Sequence, residues 1–150
     1  MLVFVEERLD KAKILDIWET EEDRNLSTFD LKTKYKKYLQ SNFQGHQYFN
    51  KNAGFWISVS SDCVNQWAKK SRTRERIILI QVLDLLIMNG IYEGGPIPDR
   101  KKRSEIEYYK HFHHRVRING KNYNVVIKVV KPVKKNHKFY YYSLESVGIK

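Results

Sequence analysis

Residues 108–131 read YYKHFHHRVRINGKNYNVVIKVVK. Two segments rich in Val, Ile and Tyr flank the Asn119-Gly120 dipeptide, which is a favoured centre of a two-residue type I′ hairpin turn. The stretch therefore predicts two antiparallel strands, 108–119 and 122–131. A similar segment at 139–147 extends them to a meander of three strands.

Helical patterns precede this meander. Apolar residues recur at helical spacing from Leu31 to Leu39, and Ser27 or Thr28 can cap this helix, which is predicted to extend through Ser41. Helices first and a meander last predict an α+β fold, in which N-terminal helices pack on one face of a C-terminal antiparallel sheet.

Three further elements are predicted between the first helix and the meander. Residues 48–59 indicate a small hairpin that turns at Asn52 to Gly54. A helix that contains Val64, Trp67 and Ala68 follows it, and Ser60, Ser61 or Asp62 can cap this helix. Residues 73–89 indicate another helical block, which is too apolar for an exposed helix and is expected in the middle of the core.

The first thirty residues differ in charge from the rest of the chain. They contain nine acidic and four basic residues, a net charge of −5, whereas the whole chain carries +11. We expect an acidic N-terminal arm or helix at 1–30 and a basic domain at 31–150, in a single globular unit because 150 residues suit one core. Within the arm, residues 2–19 predict a short strand or arm followed by a helix.

Composition and hydropathy exclude several protein classes. No apolar run reaches the roughly 18 residues that a membrane span needs, and acidic residues stand where an export signal would be apolar. The single cysteine, Cys63, cannot build a disulfide framework or a multi-cysteine zinc site. We expect a soluble protein that acts in the cytoplasm and has no membrane partner.

The positive net charge points to a polyanionic partner. Basic surfaces bind nucleic acids because each phosphate that they neutralise releases condensed counterions. The alternative is a basic surface that only keeps the protein soluble. The same choice, phosphate contact or solvation, applies to the densest basic run, which contains Lys69, Lys70, Arg72 and Arg74.

Alternation along the predicted strands sorts their side chains to two faces. The apolar set of the first strand, which contains Phe112, Val116 and Ile118, goes to the core together with His114. The opposite, open face is expected to display His111, His113, Arg115, Arg117, Lys128, Tyr141 and Ser143.

This mixture of groups suits RNA cleavage without a metal or another cofactor. Attack of a ribose 2′-OH on the adjacent phosphate needs a base, an acid and cations that stabilise the phosphorane. His113 is the predicted acid or base, Arg115 and Lys128 are predicted to clamp the phosphate, and Tyr141 and Ser143 could orient the nucleophile or stack on a base. The RNA-binding residues would be Lys69, Lys70, Arg72, Arg74, His111 and Arg117.

Several of these residues have plainer interpretations. The histidines at 111, 113 and 114 could form a zinc site, but no acidic or cysteine partner lies at a short ligand spacing. Tyr141 and its tyrosine neighbours could simply favour a strand. His114 is interpreted as a half-buried core histidine.

Several short motifs carry a resemblance to a known family. They are FQGHQYFNKNAG at 43–54, ISVS at 57–60, YY at 108–109, VRINGKNY at 116–123, and a final strand with Tyr140 to Ser143. Together they resemble the barnase, EndoU, colicin and RelE-like nuclease superfamily. The most similar members are its domains in phage and mobile-element polyvalent proteins and in bacterial toxin C-termini.

The resemblance implies helices packed on a four-stranded antiparallel sheet and metal-independent ribonuclease activity, commonly on tRNA. The positions that match the active sites of this family would be Lys69 or Lys70, Arg115, Lys128 and Ser143. The toxin relatives imply an acidic immunity or antitoxin protein as partner. The alternative function is a non-catalytic nucleic-acid-binding or protein-interaction module of the same fold.

Overall fold

Seven strands form one sheet in the part of the chain that the computed structural model describes, which is residues 7–9, 11–94, 106–132 and 142–149. The strands are β1 (Leu15–Ile17), β2 (Gln47–Asn50), β3 (Phe55–Ser58), β4 (Ile91–Tyr92), β5 (Ile106–Ile118), β6 (Lys121–Pro132) and β7 (Tyr142–Ile149). Their order is β1-β5-β6-β7-β3-β2, and β4 also pairs with β5.

The predicted meander is the centre of this sheet. β5 pairs antiparallel with β6, and β6 with β7. At the turn between β5 and β6, Asn119 and Gly120 have φ angles of 51° and 82°. Two consecutive positive φ angles are the geometry of a type I′ turn, so the predicted turn is confirmed.

The predicted small hairpin is also confirmed, as β2 and β3. It joins the meander because β3 pairs parallel with β7, where Ile57 lies opposite Tyr142. Asn50 fastens the hairpin turn: its buried amide donates to the carbonyls of Ile87 and Gly90, at 2.7 and 3.1 Å, and accepts from the Ala53 N–H at 2.7 Å.

Residues 7–9 and 11 are helical. The helices further along are α1 (Glu21–Arg24), α2 (Thr28–Asn42), α3 (Ser61–Lys70), α4 (Arg74–Ile78) and α5 (Leu83–Asn89), with a 3₁₀ turn at Leu79–Val82. Ser27, Ser60 and Thr73 cap α2, α3 and α4, each accepting from a backbone N–H three residues on. The block predicted at 73–89 is therefore helical but interrupted. Its β-branched residues have weak helix propensity, so packing decides the local backbone.

The core lies between the helices and one face of the sheet, as the α+β prediction requires. The block at 77–80 is fully buried, and Leu31 and Leu39 of α2 pack in the same cluster. From the sheet, Phe112 and Ile127 complete it. The sheet is larger than the four antiparallel strands that the resemblance implies, because β1 and β3 add parallel pairings. In the described part of the chain, no helix is both long and apolar enough to cross a membrane.

The N-terminal region matches its prediction in part: residues 7–9 and 11 are helical, within the segment where a helix was expected. Residues 15–17 form strand β1 where a helix was expected, because Leu15 to Ile17 find the edge of β5 and pair parallel with Val116 to Ile118. Ile17 is buried in the main core. Residues 1–6, the expected strand or arm, lie outside the described residues.

Candidate nucleic-acid interface on the outer sheet face

The face of the sheet that points away from the helices carries the polar residues of β5, and we call it the outer face. Phe112, His114, Val116 and Ile118 are buried on the helix side, so His111, His113, Arg115 and Arg117 alternate to the outer side, as the sequence predicts. The β5–β6 register places His111 directly opposite Lys128 and therefore puts Lys128 on the same face.

His113 is not exposed on this face. It retains only 4% of its accessible surface, so the prediction of an open imidazole at 113 is wrong. Ile91 of β4 lies beside His113 in register, and Ile91 packs against Leu9 in a second, small apolar cluster. Alternation sorted the face correctly, but β4 and the N-terminal region cover this part of it.

Glu93 binds His113 and lies near His111. Its Oε2 accepts a hydrogen bond from Nε2 of His113 at 2.9 Å and lies 3.7 Å from Nδ1 of His111. The Glu93 backbone N–H donates to the carbonyl of His111 at 3.0 Å, which fixes Glu93 beside β5. The side chains of Glu93 and His111 are 25% and 29% exposed, so both can meet a ligand.

The two histidines raise the acidity of this carboxyl group. Burial alone would raise the pKa of Glu93, but the hydrogen bond from His113 and the charges of both histidines outweigh it and hold the pKa below its ordinary value. Glu93 is therefore a carboxylate at neutral pH. Within the described ranges, no three His, Cys, Asp or Glu side chains are grouped so that they could hold a metal ion.

His114 lies on the helix side of β5 and plays a different part. It is 4% exposed, and its Nδ1 donates to the carbonyl of Arg115 at 2.9 Å. Burial lowers the pKa of His114, against the effect of this hydrogen bond. The interpretation of His114 as a core histidine is confirmed, and its side chain is buried rather than half-buried.

Two cationic side chains, Lys128 and Arg115, lie near His111 on the outer face. The Nζ of Lys128 lies 3.9 Å from the centroid of the Tyr109 ring, a cation–π contact that orients the ammonium group. Arg115 follows His113 by two residues on the same face, and both Arg115 and Lys128 are partly exposed. Arg117, further along, donates from Nε to Oδ1 of Asn122 at 3.0 Å.

The two other predicted catalytic residues, Ser143 and Tyr141, are not seen next to Glu93 and His111. Ser143 pairs with Val130 and Ser58 on neighbouring strands, and so lies on a different rung of the sheet from His111 and Lys128. Tyr141 lies outside the described residues.

The basic run after α3 belongs to the helical layer, not to the sheet. Lys69, Lys70 and Arg72 are exposed there. Arg74, predicted to bind RNA, is instead engaged in the fold: it pairs with Glu19 at 3.2 Å and donates to the carbonyls of Asp23 and Leu26. Its guanidinium holds the acidic segment against α4 because these acceptors are close and mostly buried.

Glu93 is a member of the candidate site that sequence reasoning missed. It lies directly after β4, which is only two residues long, in a stretch rich in glycine and proline that reads as a loop. Two residues give no alternation, so the sequence carries no signal that places this carboxylate beside His111 and His113.

The comparisons with known proteins give one match. The model of the family described as large polyvalent protein-associated domain 3 matches residues 27–141. This range contains Glu93, His111, His113 and Lys128. The match confirms the predicted relation to domains associated with polyvalent proteins. Neither a curated protein nor a solved structure matches the chain.

Proposed function

The chain belongs to the large polyvalent protein-associated domain 3 family, and from this premise we propose that it is a metal-independent endoribonuclease of a phage or mobile element. The observation that carries the proposal is the carboxylate of Glu93, held between two histidines beside Lys128 on a basic sheet face. A base, an acid and a phosphate clamp are the three parts that RNA transesterification needs.

The residues fill these parts as follows. The carboxylate of Glu93 takes the proton of the ribose 2′-OH, whose oxygen attacks the adjacent phosphorus. Protonated His111 gives its proton to the departing 5′ oxygen. The bond between phosphorus and the 5′ oxygen breaks. The products are a 2′,3′-cyclic phosphate and a 5′-OH.

The other groups act on charge and position. Lys128 and Arg115 stabilise the negative charge that gathers on the phosphorane. His113 is too buried to touch the substrate and acts as a positioning residue, because its hydrogen bond fixes Glu93 and keeps it ionised. This assignment replaces His113 by His111 as the histidine that transfers a proton.

The test is incubation of the purified protein with total tRNA in EDTA. Wild-type protein is expected to cleave, and His111→Asn to cleave at least about 100-fold more slowly while it remains folded. His46→Asn is the matched control, because His46 is also exposed but stacks on Tyr48 in the edge hairpin. Intact tRNA with the wild-type protein, or full activity in His111→Asn, overturns the proposal.

A second candidate function is a non-catalytic nucleic-acid-binding module, and the burial of His113 favours it. This module would bind RNA with an affinity that falls linearly in a log–log plot against salt, and would yield no product. An acidic immunity or antitoxin protein that covers the outer face would be a partner of either form, because opposite charges speed association.

A further inference from the structure

Two large aromatic side chains lie exposed side by side on the edge hairpin. Phe49 and Trp56 are directly opposite each other in the β2–β3 register. Their ring centroids are 5.4 Å apart with the planes at 59°, and they are 40% and 54% exposed. Aromatic rings left in water forgo the free energy of burial, so an adjacent exposed pair marks a surface that binds something.

The pair lies on the outer face of the sheet. Ile57, the residue after Trp56, is buried in the core and pairs with the partly buried Tyr48, so Phe49 and Trp56 alternate to the other side. Ser58, two residues after Trp56, shares a rung with Ser143. The aromatic pair and Lys128 thus lie on the same side of the sheet, with the buried Val130 on the rung between them.

The spacing fits a short nucleic-acid strand. β3 lies three strands from β5, and Trp56 lies about four residues along the strand direction from the rung of His111. With strands about 4.8 Å apart and about 3.3 Å per residue, the separation is roughly 20 Å. A few nucleotides of extended single strand cover this distance.

We propose that Phe49 and Trp56 form a stacking platform for an unpaired base of a single-stranded nucleic acid whose phosphates contact the cationic part of the outer face. The inference rests on the nucleic-acid binding in the proposed function and names its substrate class. Aromatic rings stack on any base, but a base inside a duplex is already stacked and cannot use them.

The charge of the outer face and the rigidity of the hairpin both favour a single-stranded nucleic acid as the ligand. The chain carries 28 Lys and Arg against 17 Asp and Glu, and Lys128, Arg115 and Arg117 lie on the same face as the pair. The hairpin turn is fastened to the helical layer by the fully buried Asn50, so the rings are held in place before binding. Little conformational entropy is then lost when a base docks.

The experiment measures binding of a fluorescent oligodeoxythymidine and of a DNA duplex at fixed salt. The oligodeoxythymidine has no 2′-OH, so it binds without being cleaved. Trp56→Ala and Phe49→Ala should each weaken single-strand binding about 5- to 150-fold and duplex binding less than twofold. Trp56→Phe should keep most of the affinity because it keeps a ring.

Phe29→Ala is the control variant, since Phe29 is also exposed but lies on α2 in the helical layer. It should bind as the wild type does. Unchanged single-strand affinity in folded Trp56→Ala and Phe49→Ala overturns the inference. A loss of self-association without a loss of nucleic-acid binding also overturns it, because the aromatic pair would then be an interface between copies of the chain. If Trp56→Ala does not fold, Phe49→Ala decides.

Different results reject the stacking platform and the proposed RNA cleavage. Trp56-dependent binding of the oligodeoxythymidine with tRNA left intact supports the platform and rejects catalysis. Cleavage of tRNA by a protein whose single-strand affinity ignores Trp56 supports catalysis and rejects the platform.

Discussion

Glu93 Oε2 lies 2.9 Å from Nε2 of His113, and this contact joins a two-residue strand to the longest strand of the sheet. The two side chains differ in burial: His113 is buried, whereas a quarter of the Glu93 side chain remains exposed. A buried partner can hold and ionise a carboxylate that still reaches a ligand. The outer face therefore presents a fixed carboxylate next to the partly exposed His111.

The first prediction concerns the pH profile of RNA cleavage. The hydrogen bond from His113 lowers the pKa of Glu93, so the carboxylate persists to lower pH than an ordinary glutamate would. His113→Phe removes that bond, and the pKa of Glu93 should rise. The acidic limb of kcat/KM should then move to higher pH. A lower rate with an unmoved acidic limb would show that His113 is not the positioning residue.

The second prediction concerns stability and His114. Its pKa is lowered in the folded protein, so the unfolded chain takes up a proton first as the pH falls. Stability is present above the ordinary pKa, about 6.5, and declines below it. Urea unfolding should show a loss of up to about 1.0 kcal/mol from this group between pH 6.5 and pH 5.5.

His114→Gln should flatten this part of the stability profile. His46→Gln should leave it unchanged, because His46 is exposed. An equally steep loss of stability in His114→Gln would assign the dependence to other groups.

The third prediction concerns the buried carboxylate of Asp23. It pairs with Lys34 and accepts a hydrogen bond from the Tyr35 hydroxyl at 2.7 Å, and these contacts lower its pKa although burial opposes them. Asp23→Ala should reduce the free energy of unfolding by about 2–3 kcal/mol, less than for a fully buried pair because Lys34 is partly exposed. Glu22→Gln, at an exposed partner of Lys34, should change it by less than about 0.5 kcal/mol. Equal effects of the two variants would contradict this account.

The fourth prediction concerns two glycines. A Cβ on Gly90 would lie 2.9 Å from the Leu86 carbonyl oxygen and 3.0 Å from Cβ of Phe112, neither of which can move freely. Gly90→Ala should destabilise the fold by about 1–3 kcal/mol. At Gly148 the nearest atom is the end of the Arg76 side chain, 4.0 Å away. Gly148→Ala should stay within about 0.5 kcal/mol of the wild type, and thermal unfolding compares the two.

Local chemistry explains what the sequence could predict. Asn119-Gly120 adopts its turn because few other residues tolerate two positive φ angles, so the meander follows from the dipeptide and the flanking strands. Ser27 and Ser60 likewise cap their helices through their own side chains. Such signals act within a few residues and need no knowledge of the rest of the fold.

Long-range contacts determine the features that could not be predicted from the sequence. Alternation gives the face of His113, but its burial depends on Ile91 and Leu9, which are distant in sequence. The helix expected within residues 2–19 does not extend through residues 15–17, because an edge of β5 is available for these residues to pair with as β1. Likewise, nothing in the sequence around Arg74 indicates that it pairs with Glu19 and donates to two backbone carbonyls.

The most direct test of the account is the chemistry of the product ends after incubation with a single-stranded RNA in EDTA. Transesterification by Glu93 and His111 predicts fragments that end in a 2′,3′-cyclic phosphate and begin with a 5′-OH, and their absence with Glu93→Gln. Fragments with 5′-phosphate ends, or no fragments at all from a folded wild-type protein that binds the RNA, would contradict it.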